Sequence, residues 1–305
     1  MYGRSQSQTT EGIGVLTTRF TQTTGSSQLE DASCVIVGVP FNGSYSYHDS
    51  PTNAPDAIRT GSPDVLMYSY SSWQRMGCAE ETVVCDVGNL VIPLSASTED
   101  MASLVCSKLS DFFTTYPVVL GGDHSISYPA LKAAADKHGE LEVVTIDAHH
   151  DCFLNEASEP LTHGNWLAHA SNEGYVDLAT VCGVRTSSID NHDLYDEYGV
   201  RLLSTAWSTN WSPDPTGGPL WLSVDLDGFD PSTAPGVVVP EPGGFTAREG
   251  LELIARVLGT GRVVGGDIVE CWPSLDSSRL TVNLAHSIVR EFVVHFSNRE
   301  DNPWQ

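Results

Sequence analysis

The sequence predicts an α/β protein, with a mostly parallel central sheet and helices on both faces. Three observations predict it. Its short β-branched runs are continuously apolar rather than alternating, which marks strands buried on both faces. Helical stretches separate those runs, as the crossovers of a parallel sheet require. Acidic residues and histidines gather just past several runs, where open parallel sheets place their chemistry.

Residues 1–30 are rich in Ser, Thr, Gln and Gly and poor in large apolar side chains, so they read as a loosely held polar N-terminal arm or an oligomer contact. Residues 31–305 read as a single α/β domain. Strands are expected at Cys34–Val39, Thr82–Cys85, Pro117–Leu120, Glu142–Ile146, Leu178–Gly183, Leu220–Val224 and Arg262–Ile268. Helical periodicity fits Thr98–Phe113, Ser127–His138, Thr246–Leu258 and Leu280–His295. The Ser/Pro/Gly-rich stretch Ser204–Pro219 reads as a surface excursion rather than a linker, and no internal repeat is visible.

Composition narrows the function. The 305 residues, 40% apolar and 18% charged, suffice for a sizeable core and exclude intrinsic disorder. No run approaches the roughly 18–20 apolar residues of a membrane span, and the N-terminus lacks the order of a secretory signal, so a cytoplasmic protein is expected. The net charge of 15 − 39 = −24 repels phosphate backbones and anionic lipid. Nucleic acid and membrane are therefore poor partners, and cationic small molecules or metal ions are better ones. The seven cysteines are odd in number and scattered, with no CxxC pair, and read as reduced core thiols.

Four strand ends carry the chemistry. Val118–Leu120 runs into Gly121-Gly122-Asp123-His124-Ser125, and Val143–Ile146 into Asp147-Ala148-His149-His150-Asp151. Trp221–Val224 runs into Asp225-Leu226-Asp227, and Gly266–Val269 delivers Glu270. Alone, an Asp-x-Asp is usually a solvated turn, and a histidine after two glycines is usually structural. Together these residues would concentrate like charge at one sheet edge, which several neighbouring carboxylates cannot sustain unaided. Two divalent cations would neutralise the four carboxylates of Asp147, Asp151, Asp225 and Asp227. In an extended segment Asp147, His149 and Asp151 project to the same side and could meet a common metal pair, with His150 and Cys152 pointing away. Carboxylate and imidazole donors without thiolate favour Mn²⁺, with Ni²⁺ or Co²⁺ as alternatives, over a Cys-type zinc site.

The trio of Gly121–Ser125, Asp147–Asp151 and Ser223–Pro231, continued by Ala234–Gly244, closely resembles the ureohydrolase family of arginases and agmatinases. Val37–Phe41, Pro55–Arg59 and Asp267–Glu270 match the same family in the same order, so the resemblance spans most of the chain. It implies a three-layer α/β/α sandwich, assembled as a homo-oligomer, trimer or hexamer. It also implies two Mn²⁺ ions per subunit, one held by His124 and Asp151, the other by His149 and Asp227, with Asp147 and Asp225 bridging or shared. His150 is expected in the core or behind the ligands.

The implied reaction is hydrolysis of a guanidino compound to urea and a primary amine. A water shared by two cations loses a proton near neutral pH and becomes a nucleophile. The guanidinium presents a planar fork of N–H donors that a carboxylate can accept in bidentate fashion, and Glu270 is that carboxylate. Asp151 orients the nucleophile, and His163, in a His-Gly context after the Asp147–Asp151 cluster, shuttles a proton to the leaving amine.

The loops expected to read the far end of the substrate are Asn42–Asn53 and Cys152–Thr162, where Asn155 and Ser158 could donate hydrogen bonds. No Lys or Arg lies between Lys137 and Arg185, while Glu156 and Glu159 sit beside the expected mouth. That balance favours the cationic tail of agmatine over an arginase or guanidinobutyrase substrate. Tyr45, Tyr47, Tyr68, Tyr70 and Trp73 could instead floor the mouth for a larger guanidino-bearing biosynthetic intermediate. A non-catalytic metal-containing scaffold or regulatory subunit would need neither His163 nor Glu270. A deacetylase-type site with one Zn²⁺ would leave the second Asp-x-Asp pair without a purpose.

Overall fold

The continuously apolar runs become strands buried along most of their length. The computed structural model describes residues 19–20, 23, 26–43, 53–61, 82–153, 159–186 and 196–299. Within them the strands are β1 (Cys34–Gly38), β2 (Val84–Asn89), β3 (Tyr116–Leu120), β4 (Leu141–Ile146), β5 (Val176–Cys182), β6 (Val200–Leu203), β7 (Leu220–Asp225) and β8 (Val263–Val269). They form one 8-stranded sheet in the order β2-β1-β3-β8-β7-β4-β5-β6, and every pairing is parallel.

The helices that accompany the sheet include α1 (Ala54–Arg59), α2 (Thr98–Ser110), α3 (Ser127–His138), α4 (Trp166–Asn172), the short α5 (Thr205–Ser208), α6 (Ala247–Leu258) and α7 (Leu280–Ser297). Alternate residues of a strand point to opposite faces, so one sheet supports two cores. Cys34 and Ile36 of β1 pack with Ile58 of α1, Ile254 of α6 and Phe292 of α7. Val35 and Val37 pack on the other side with Met101 of α2, Leu131 of α3 and Leu167 of α4. The result is the expected three-layer α/β/α sandwich. Capping boxes start two of its helices, Ser97 with Asp100 for α2 and Thr246 with Glu249 for α6.

Some elements depart from expectation. β6 was not anticipated, because an edge strand of four residues containing Arg201 and partly exposed carries no continuous apolar signal. α1 and α4 are too short for a helical period to show. α2 stops at Ser110, and Phe112 and Phe113 are buried beyond it rather than within it. Ser204–Pro219 is an excursion, but a tethered one: Arg256 donates to the carbonyls of Thr209 (2.7 Å) and Trp211 (3.2 Å). Within the N-terminal segment, Phe20 is a core residue. Its amide donates to Asp86 Oδ2 at 3.0 Å, and its ring lies 5.4 Å from that of His286.

The order of the central strands positions the site. β3, β8, β7 and β4 are consecutive neighbours, so their carboxyl ends fall within about 14 Å of one another at ordinary strand spacing. Two glycines let the loops above them close. A Cβ at Gly122 would sit 1.8 Å from the Phe41 carbonyl oxygen, and one at Gly228 would sit 2.8 Å from the Asp147 amide nitrogen. Neither neighbour is a side chain that can swing aside.

Gly122→Ala should therefore lower the melting temperature by about 3–10 °C through overpacking. Gly218→Ala, whose Cβ would meet nothing within 4 Å, should leave it within about 1 °C. Equal melting temperatures for the two variants in a thermal scan would contradict this account of the loop closure.

Candidate metal centre

At the end of β3, Asp123 caps the turn His124–Ile126 by accepting from the Ser125 amide, and its other oxygen accepts from Gly43 at 2.9 Å. That turn fixes His124. Past β7, Asp225 caps the turn Leu226–Gly228 by accepting from the Asp227 amide at 2.8 Å. Past β4, Asp147 Oδ1 accepts from the His149 amide at 2.7 Å, and Asp227 Oδ1 accepts from the Ala148 amide at 3.0 Å. Asp147, Asp225 and Asp227 thus each have one oxygen tied to the backbone and the other turned toward the imidazoles.

The freed oxygens converge. His124 Nδ1 lies 3.3 Å from Asp147 Oδ2, 2.9 Å from Asp151 Oδ2 and 3.0 Å from Asp225 Oδ2. His149 Nδ1 lies 3.0 Å from Asp227 Oδ2 and 3.6 Å from Asp147 Oδ1. Two potential ion sites result, His124 with Asp147 and Asp225, and His149 with Asp147 and Asp227. Asp147 belongs to both. The donors fit divalent cations on a further count: His124 Nδ1 and Asp147 Oδ2 are buried without a hydrogen-bond partner among the described residues. Buried polar atoms rarely remain so without a compensating group.

The convergence does not come from an extended strand. β4 ends at Ile146, and Asp151 adopts a left-handed backbone with φ of 49°. A looped segment, pinned by the Asp147–His149 bond, replaces the expected alternation. The expected direction of His150 nonetheless holds. It is fully buried, its Nδ1 accepts from the Cys152 amide at 3.0 Å, and its ring lies 4.1 Å from that of Phe153. Cys152 is buried in the same core as Leu167 of α4.

Crowding dominates the electrostatics. Burial pushes Asp147 up to about 6, with the charges of Asp151 and Asp227 adding to it. Burial, then Asp227 and Asp147, push Asp225 well above the usual carboxylate range. Burial opposes charge on the imidazoles, but the aspartate carboxylates crowded against them outweigh it and lift His149 to about 12 and His124 well above its ordinary value. Asp151 goes the other way: burial alone would raise it, and His124 beside it, with the charge of the other histidines, holds it low. Protons on the imidazoles thus do part of what cations would do.

Glu270 and His163 flank the cluster. Glu270 is 4% exposed, with φ of 59°. Its Oε1 accepts from the His124 amide at 2.9 Å and its Oε2 from Trp272 Nε1 at 3.0 Å. Burial, reinforced by Asp123, raises it to about 8. His163 is half-buried at the turn before α4, and burial lowers it against the pull of Asp151 and Asp123.

Sequence reasoning missed the groups behind the candidate ligands. His124 Nε2 meets Ser223 Oγ at 2.9 Å, Ser223 donates to Asp267 Oδ1 at 2.6 Å, and Trp221 donates to Asp267 Oδ2 at 2.7 Å. A carboxylate inside an otherwise apolar strand was the available signal. Arg185 stitches the loops by donating to the carbonyls of Gly183, Asp227, Gly228 and Glu241. Tyr45, Tyr47, Tyr68, Tyr70, Trp73, Asn155, Glu156 and Ser158 lie outside the described residues.

The sequence matches the Arginase family over residues 32–295. It is 28% identical to an agmatinase of Chromobacterium violaceum, covering 98% of this chain and 94% of that one. It is 30% identical to the mitochondrial agmatinase of Gallus gallus, covering 87% and 81%. Proclavaminate amidinohydrolase of Streptomyces clavuligerus is 30% identical over 86% of this chain and 88% of its own. The solved structure of that protein superposes with a TM-score of 0.80, covering 94% and 99% of the two chains at 26% identity.

Ions entering this cluster must displace protons, so cation affinity should rise with pH. Mn²⁺ titrations of chelator-treated protein at pH 6 and pH 8 should differ by about 10-fold or more in favour of pH 8, with protons released on binding. Equal affinities without proton release would contradict the assigned donors.

Proposed function

Because the chain belongs to the arginase family, we propose that it hydrolyses a guanidino compound to urea and a primary amine at a pair of divalent cations. The observation that carries this reading is the pair of donor groups sharing Asp147. His124, Asp147, His149, Asp151, Asp225 and Asp227 would hold the ions. Oxygen and imidazole donors without thiolate support manganese, with Ni²⁺ or Co²⁺ as alternatives. When bound, such a pair lowers the pKa of a shared water and stabilises charge on the reacting group.

The chain's own groups do the rest. Each oxygen of Glu270 already accepts one N–H bond, which fixes the carboxylate plane and leaves a further lone pair on each for a guanidinium fork. A bound guanidinium would also draw Glu270 back into its ionised form. Asp151 orients the attacking water. His163, held toward its neutral form, can carry a proton between solvent and the departing amine. The remote end of the substrate would be cationic. Arg185, the first cation after Lys137, has its guanidinium committed to backbone carbonyls and is not offered to a carboxylate tail. Agmatine is the favoured substrate. A larger guanidino intermediate is the second reading, supported by the full-length likeness to proclavaminate amidinohydrolase. Among the described residues no helix is long and apolar enough to cross a membrane. By family likeness, the working form is a homotrimer or homohexamer.

Urea release by the Mn²⁺-loaded protein should be found with agmatine above arginine and guanidinobutyrate in a substrate screen. No urea from any guanidino compound would refute the proposal. Glu270→Gln should retain both ions yet lower kcat/KM by about 100-fold or more through the lost charge. His163→Asn should lower kcat by about 10²–10⁴-fold and change the pH–rate profile. A scaffold protein would be indifferent to both substitutions.

A further inference from the structure

Asp151 is the one ligand candidate with a left-handed backbone, φ 49°. An aspartate holds such a conformation only where its surroundings impose it. The first turn of α4 supplies the restraint. Leu167 donates its amide to the Asp151 carbonyl at 3.3 Å, and Trp166 Nε1 donates to Asp151 Oδ2 at 2.8 Å. In return the Phe153 amide donates to the Gly164 carbonyl at 2.9 Å. The two segments are clipped together from both sides.

The indole is aimed at a particular atom. Asp151 Oδ2, its acceptor, is also the oxygen 2.9 Å from His124 Nδ1. Trp166 is fully buried, and its ring lies 4.6 Å from the His124 ring at an interplanar angle of 33°. One side chain therefore donates to one ligand and packs against a second. A group behind a ligating carboxylate that fixes its orientation commonly governs metal affinity. An indole N–H suits that role because it is a donor only and does not titrate.

We propose that Trp166 is a positioning residue of the metal centre, holding Asp151 Oδ2 and the His124 ring in the arrangement that binds the cation beside His124. Trp166 also begins α4 three residues after His163, so the same indole ties the turn carrying the proton shuttle to a metal ligand. This inference rests on the two-cation reading of the site.

Metal-free, full-length wild type, Trp166→Phe and Trp166→His should be titrated with Mn²⁺ by equilibrium dialysis and examined by low-temperature EPR. Phe keeps most of the ring and removes the donor; His returns an N–H at the same distance from Cγ and removes the benzo ring. Wild type should bind two ions and show a spin-coupled pair. Trp166→Phe should bind one ion about 10–100-fold more weakly, showing isolated Mn²⁺ lines at one equivalent. Its metal-free melting temperature should stay within about 3 °C of wild type. Trp166→His should bind both ions more tightly than Trp166→Phe.

A Trp166→Phe protein with wild-type affinity and a coupled spectrum would overturn the inference, as would Trp166→His binding more weakly than Trp166→Phe. If Trp166→Phe does not fold, Trp166→His alone decides, since loss of an ion despite the restored donor refutes the role. Wild type binding no ion would instead refute the two-cation reading itself.

Discussion

Four aspartates and two histidines share one buried end of the sheet, and their mutual repulsion and desolvation constrain everything around them. Carboxylates within about 3 Å of a common imidazole nitrogen cannot all stay ionised in a buried setting unless positive charge sits among them. The fold meets that constraint by rigidity. Strands buried on both faces fix the four loops from below, and backbone amides take one oxygen of Asp147, Asp225 and Asp227. What remains of each carboxylate faces the imidazoles. Such preorganisation lets a site bind ions without first ordering itself.

Support extends outward in layers. Behind His124 stand Ser223 and Asp267, behind Asp151 stands Trp166, and behind Glu270 stands Trp272. Each of the two tryptophans presents its single N–H to a carboxylate of the candidate site. Indole is large enough to fill the core and polar at one atom, so it packs and orients at once. The left-handed backbones of Asp151 and Glu270 belong to the same arrangement. Strain at functional side chains is tolerated where the surroundings define the geometry more than once.

Much of this was legible in the sequence. Continuous apolar runs located six of the eight strands and the first two residues of β2, and what followed β3, β4, β7 and β8 pointed to the six proposed ligands and Glu270, which the fold brings together. Residue type and order sufficed there, because a parallel sheet delivers its strand ends to one edge. The local geometry was not legible. An extended alternation was expected to align Asp147, His149 and Asp151, whereas a turn and a left-handed aspartate align them. Trp166 gave no signal, since a tryptophan after Gly164-Asn165 reads as core until its indole nitrogen is seen against Asp151. Asp267 stood in a family-like segment and as a charge inside an apolar strand, but its bonds to Ser223 and Trp221 were not legible. Partnerships across long sequence separations, such as His124 with Glu270, need the fold to become visible.

The central claim is that this cluster holds two cations with Asp147 between them. Anomalous diffraction at the manganese edge, on crystals grown with Mn²⁺, addresses it most directly. Two peaks are predicted, one against His124, Asp151 and Asp225 and the other against His149 and Asp227, each within bonding distance of Asp147. A single peak, or peaks away from these side chains, would contradict the account.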